Sequence, residues 1–155
     1  MDSRILIEDY LAGPAFLRKS VSGMTHEQLL ARPIPGKWST LEVVCHLADF
    51  EIVIADRIKR VIAEDEPTMF NGDPDLFAAR LAYQDRDIEE ELVLIELIRK
   101  QVARILGGLK ESDYQRCGIH SEYGRLSLET MIQRVTSHIP NHVRFIEEKR
   151  AAMTA

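Results

Sequence analysis

Apolar residues along this chain recur at intervals of three and four, not two, and that period marks four long helical segments. The first spans about residues 2–21, with Leu6, Tyr10, Gly13, Leu17 and Val21 at helical spacing. Gly13-Pro14 falls inside it and is expected to bend it, because proline removes a backbone donor. Pro33, Pro35 and Gly36 make residues 24–37 a loop, with room for one helical turn at residues 25–28. The second helix starts clearly. Ser39 and Glu42 form a capping box, Trp38 can staple onto Val43, and the helix should continue to about Ala63. Pro67, Gly72 and Pro74 open another connection, with a short helix expected near residues 76–81. Asp87 and Glu90 signal a third helix carrying Ile88, Leu92, Ile95, Ile98, Val102, Ile105 and Leu109, loosened at its end by Gly107-Gly108. Residues 111–126 then show no sustained period, and a last helix begins at the cap Ser127 and runs to about residue 150. The pattern predicts an all-α protein, one domain over residues 1–155, folded as an antiparallel-type four-helix bundle with negligible strand.

Composition narrows the function. With 45% hydrophobic residues in 155, one domain can bury a substantial core. The net charge of −5 is spread without a block of one sign, so there is no electrostatic footprint for nucleic acid. Charges at positions 2, 4, 8 and 9 interrupt any secretory leader, and no apolar run approaches the roughly 18 residues of a membrane span. A cytoplasmic protein with no membrane partner is expected. Cys45 and Cys117 form neither a disulfide framework nor a C-x-x-C pair, which fits a reducing compartment.

The histidines carry the candidate chemistry. His138 and His142 stand one turn apart on the last helix, on the face that also holds Met131, Val135, Phe145 and Ile146, while Glu129, Gln133, Arg144 and Glu147 take the other side. Two imidazoles at i and i+4 can converge on one ion, although each alone also suits a satisfied core position. The adjacent Glu of H-E-x-x-H is missing. A third histidine within a long helix is His46, yet it falls opposite Leu41, Val44, Ala48, Ala55 and Ile62, among Glu42, Asp49, Arg57 and Arg60. From periodicity it is either a solvated polar-face residue or the border of a cleft, in which case Asp49, near it on the same strip, could orient its ring from a second shell.

The stretch GKWSTLEVVCHLADFE, the segment GIHSEYGRLSLE and the ending SHIPNHVRFI, in that order, resemble the DinB/YfiT-like superfamily over nearly the whole chain. The matching motif positions are Trp38, Ser39, Glu42, Val43, Cys45, His46, Leu47 and Asp49, with the H-x-x-x-H pair His138 and His142. The resemblance implies a four-helix bundle in which His46, His138 and His142 ligate a divalent metal, zinc or nickel, and it implies a homodimer, to which the apolar character of the second helix lends support. Pro140, between the paired histidines, should bend the helix at the site.

Three neutral imidazoles leave an ion with an open position, the arrangement of a catalytic rather than a closed structural site. Water there would ionise nearer neutrality and attack an ester or amide; a low-molecular-weight thiol would become a thiolate. Two enzyme readings follow for a small-molecule substrate, hydrolase or thiol S-transferase, and the resemblance implies a thiol of the bacillithiol or mycothiol type for the second. The competing reading is a non-catalytic bundle that binds a metal or a partner. Glu42 could act as a base near the metal, but its cap position explains it. His120 is expected to be a solvated loop histidine, Cys45 a small core residue, and Cys117 has no spacing partner. Met69, Phe70 and Phe77 either wall a cleft or cover an end of the core. Metal affinity should weaken below about pH 6.5, where free imidazole protonates.

Overall fold

A computed structural model of the chain describes residues 2–154. Four long helices carry the fold: α1 (Ser3–Val21), α3 (Thr40–Ala63), α5 (Ile88–Leu106) and α6 (Leu128–Thr154). Two short ones, α2 (His26–Leu30) and α4 (Pro74–Arg80), lie in the connections. The helices start where side chains can satisfy their free N–H groups. Asp2 accepts from the Arg4 amide, Asp87 from Glu90, and Ser127 from Thr130 at 3.2 Å. Ser39 and Glu42 close the expected box at 3.1 and 2.6 Å, and Thr25 and Gln28 repeat it for α2. Each such cap is worth about 1 kcal/mol.

Consecutive long helices are not all neighbours in space. α1 packs against α5 and α6, and α3 packs against the same two from the other side, so α1 lies diagonally across from α3 and α5 from α6. That arrangement differs from a simple up-and-down bundle: the connections over residues 22–39 and 107–127 each span a diagonal, while residues 64–87 join neighbours. α3 is buried within one protomer by Leu41, Val43, Val44, Leu47, Ile58 and Val61, and among its large apolar residues only Ile52 is exposed. Most of its apolar character is therefore used inside the chain, with Ile52 exposed and Phe50, Val53, Ile54 and Ile62 half-buried.

The expectation of negligible strand needs correction. β1 (Thr68–Met69), β2 (Cys117–His120) and β3 (Gly124–Ser127) form a small sheet in the order β1-β2-β3, the first pair parallel and the second antiparallel. The register sets Met69 beside His120 and Ile119 beside Arg125. Only a residue without a side chain fits at position 118, since a Cβ there would lie 2.9 Å from both Met69 Cε and Val61 Cγ2. The sheet is thereby pressed onto α3 near one end of the bundle, beside α6.

Between two apolar clusters of the bundle lies a fully buried ion pair. Arg99 Nη2 donates to Glu51 at 2.9 Å and to the Val135 carbonyl at 3.0 Å, Nη1 donates to the Tyr10 carbonyl at 2.7 Å, and the Tyr10 hydroxyl donates to Glu51 at 2.7 Å. One guanidinium thus ties α1, α3, α5 and α6 together, next to the histidines of α3 and α6. No described helix is long and apolar enough to cross a membrane.

Candidate metal centre

α3 and α6 are neighbours, and their contact brings His46, His138 and His142 together. One nitrogen from each ring lies within 4.8 Å of the others, and the His46 and His138 Nε2 atoms are 3.2 Å apart. Tetrahedral ligands about 2.1 Å from one ion stand roughly 3.4 Å from each other, so that pair already has ligand spacing. His46 is buried, which corrects the solvated reading of its helix strip. Its ring packs between Trp38 and Phe50, at centroid distances of 5.1 and 4.6 Å, and it meets the His142 ring at 4.7 Å.

Burial, with repulsion from the neighbouring imidazoles, lowers His46 to about 3; burial and the His142 and Arg99 charges lower His138 to about 3. Burial and then Lys149 lower His142 to about 4. All three rings are therefore neutral far below pH 6.5, the state a metal ligand requires. Proton competition for the folded site starts nearer pH 4 than the expected 6.5. The donor set fits a divalent ion: neutral nitrogens converge, and their three Nδ1 atoms are buried without a protein partner. Ring packing, not a hydrogen-bonded carboxylate, fixes the orientation of these imidazoles.

The sequence profile of the DinB superfamily matches residues 11–146. The chain belongs to that superfamily. A relative from Oceanobacillus iheyensis bearing the name "Putative metal-dependent hydrolase" is 30% identical over 133 residues, 86% of this chain and 77% of that protein. One of the same descriptive name from Bacillus licheniformis is 25% identical over 148 residues, 95% of this chain and 84% of that one. The solved structure of YfiT from Bacillus subtilis, described as "a probable metal-dependent hydrolase with an unusual four-helix bundle topology", is 24% identical. It superposes with a TM-score of 0.91 over 98% of this chain and 87% of its own. At that identity the likeness shows the fold, and the diagonal helix order described above fits a bundle of unusual topology.

Other candidate residues of this DinB-superfamily chain take definite places. Asp49 does not reach His46: its carboxylate is held by Arg86 at 3.0 Å, and Arg86 also grips Glu91. The second-shell role expected of Asp49 is therefore filled by no protein group. Glu42 is engaged by the Ser39 amide and by Arg32 through both oxygens; burial opposes its ionisation, yet those partners hold it below the usual carboxylate range. That is a cap, without a free oxygen for a base. Cys45 is fully buried, its Sγ 3.6 Å from the Tyr83 carbonyl, and burial pushes its thiol up to about 12. Cys117 is buried beside the Gln115 carbonyl, and His26 is exposed at the start of α2.

His120 requires the largest correction. It is 5% exposed, lies on β2, and lines a cavity of about 280 Å³ together with His138. Its Nδ1 accepts the Glu122 and Tyr123 amides at 3.1 and 3.3 Å, which leaves its proton on Nε2. Burial and the Arg57 charge lower its proton affinity. Met69 walls the same cavity and is buried, Phe77 packs against Phe50, and Phe70 is exposed. Sequence reasoning missed Tyr123 and Arg134 on this cavity and placed Arg57 only on the polar strip of α3, because the cavity forms where the sheet meets the α3–α6 contact.

Proposed function

We propose that this chain is a divalent-metal-dependent hydrolase of small-molecule substrates, with His46, His138 and His142 as the metal ligands and zinc or nickel as the ion. The observation that carries the reading is the convergence of three neutral imidazoles, His46 buried and His138 and His142 half-buried, with their nitrogens within 4.8 Å of one another and the His46–His138 pair at 3.2 Å, beside a cavity that reaches His138. The names of the relatives support hydrolysis over thiol transfer. An ion in that set supplies Lewis acidity, which lowers the pKa of a water or thiol and polarises a carbonyl or phosphoryl group.

The protein's own part follows from its residues. Low proton affinity keeps the three rings available as donors at neutral pH. Trp38 and Phe50 hold the His46 ring from either side, which keeps its position when a ligand arrives. Ile54, Met69, Leu126 and Val135 give the cavity apolar walls that exclude bulk water from the reacting bond. His120, with its tautomer fixed by two backbone amides, holds a proton at Nε2 on the same cavity. A purely structural metal would have no need of this open flank, which argues against the non-catalytic reading.

The test begins with chelator-stripped protein titrated with zinc and with nickel. One ion per chain is expected, lost in His46→Ala, His138→Ala and His142→Ala and kept in His26→Ala. A screen over esters, amides and phosphoesters, run beside thiols with electrophiles, then separates hydrolysis from S-transfer. Retention of one ion per chain by the His138→Ala/His142→Ala double variant would sink the proposal.

A further inference from the structure

The cavity beside His138 is charged in one sense only. Arg57 of α3 and Arg134 of α6 line it, and no Asp or Glu does. On a chain of net charge −5, Arg18, Arg32, Arg60, Arg86, Arg99 and Arg125 each meet a carboxylate. Among the described residues Arg57 and Arg134 meet none within ion-pair distance, as is also true of Arg80, Arg104, Arg144 and Arg150, but only Arg57 and Arg134 of these six line this cavity. Arg57 donates one N–H to the Phe70 carbonyl, which fixes the guanidinium against β1 and leaves its other donors uncommitted. Arg134 lies over the Tyr123 ring at 4.8 Å, a stacked pose that leaves its edge N–H groups free. The His120 Nε2–H is a third donor on the same wall, and its Nδ1 cannot turn inward without breaking two bonds to backbone amides. Two guanidiniums and a neutral N–H donor on one concave surface form the donor geometry of an oxyanion cradle. Ile54, Leu126 and Val135 add apolar wall to the same cavity, which His138 also lines.

We infer that this cavity binds the anionic group of the substrate: a small amphipathic carboxylate or phosphate, gripped by Arg57, Arg134 and His120 Nε2–H, with its apolar body lying toward His138. The inference deepens the hydrolase reading by naming its substrate class, and it rests on that reading only for where the reacting bond lies. Arg57, Arg134 and His120 are here binding and positioning residues.

Titrations with hexanoate, hexyl phosphate and hexan-1-ol test it, by calorimetry and by the side-chain N–H resonances of arginine and His120. They are run on the full chain both stripped of metal and loaded with zinc, because a carboxylate can also bind an ion directly. In the stripped protein at least one of the two anions should bind roughly tenfold or more tighter than the alcohol, weaken as salt rises, and shift the His120 Nε2–H signal. Whichever anion binds tighter identifies the head group. Arg134→Gln, at an exposed position, should weaken that anion about tenfold while zinc affinity stays as in the wild type. Arg57→Lys, which keeps a charge near Phe70 and so protects β1, should weaken it by a smaller factor. Equal binding of alcohol and anions, or anion affinity unchanged in both arginine variants, would overturn the inference. A wild type that binds the anion through these arginines yet takes up no zinc or nickel refutes the hydrolase reading and leaves this one standing. A wild type that holds the metal and ignores both anions does the reverse.

Discussion

Pro14 and Arg99 meet at one carbonyl oxygen. Proline at position 14 has no N–H to give the Tyr10 carbonyl four residues back, and the Arg99 guanidinium supplies one instead, at 2.7 Å. The preceding residue makes room for it: a Cβ on Gly13 would stand 2.4 Å from Arg99 Nη1. A glycine-proline pair that reads as a bend in the sequence is thus the opening through which α5 reaches the backbone of α1. Gly13→Ala is a sharp test. Helix propensity alone favours alanine by about 1 kcal/mol. Displacing a buried guanidinium from charge-assisted bonds should instead cost about 2 kcal/mol or more in urea unfolding. A stabilised Gly13→Ala protein would show that Arg99 does not need this gap.

Arg99 and Glu51 should also behave as a unit. Both are essentially without solvent exposure. Arg99→Met leaves the Glu51 carboxylate buried with only the Tyr10 hydroxyl, and a loss of about 3–5 kcal/mol is expected. Arg99→Met combined with Glu51→Met removes the stranded charge and should recover most of that loss. Strict additivity of the two single losses in a double-mutant cycle would contradict a coupled pair.

The sequence made the helices legible and left the sheet hidden, for definite reasons. Ser39, Asp87 and Ser127 announce helix starts because capping is local chemistry within four residues. β2 and β3 have four residues each, and the burial of Cys117, Gly118 and His120 around exposed Ile119 gives no clean alternation to read. His46 looked solvated because its helix is covered on several sides: α5 and α6 take two, and Trp38 and Phe50 close over the ring. A single apolar stripe is the wrong template for such a helix. His120 looked free for the same reason that Arg57 and Arg134 were overlooked. Their meeting depends on the packing of α3 against α6 and on the pairing of β1 with β2, contacts between residues far apart in sequence that no local pattern encodes.

Acid should destabilise the metal-free protein in a window the histidines define. Their folded values are about 3, 3 and 4, against about 6.5 when unfolded, so the unfolded chain binds more protons between those limits. Stability is then complete above about pH 6.5 and falls as pH drops toward 4. His120, lowered by burial and Arg57, adds in the same sense. Between pH 6.5 and 5 carboxylates titrate little, so unfolding there should take up about three protons as pH 5 is reached, read from the pH dependence of the urea midpoint. A midpoint flat from pH 7 to 5 would mean that the three rings are not held neutral. Zinc affinity of the folded protein, by contrast, should hold nearly constant over that range, because its three rings stay neutral there.

Lys149 gives the most specific handle on the centre. It is 3% exposed, its Nζ donates to the Phe145 carbonyl of its own helix at 3.2 Å, and no carboxylate lies within ion-pair distance among the described residues. Burial lowers its proton affinity, and it lines a second cavity, of about 210 Å³, with Trp38 and His142. Its charge already disfavours a proton on His142, and the same repulsion acts on a divalent ion. Lys149→Met keeps the apolar stem and removes the charge. Three consequences follow together: His142 should titrate above 4 in the stripped protein, zinc affinity measured against a competing chelator should rise roughly threefold or more, and stability should hold or increase. His142 ring signals that titrate as in the wild type, with zinc affinity unchanged, would place the Lys149 charge too far from the centre to matter. A loss of stability beyond about 1 kcal/mol would instead assign the ammonium a structural role through its bond to Phe145.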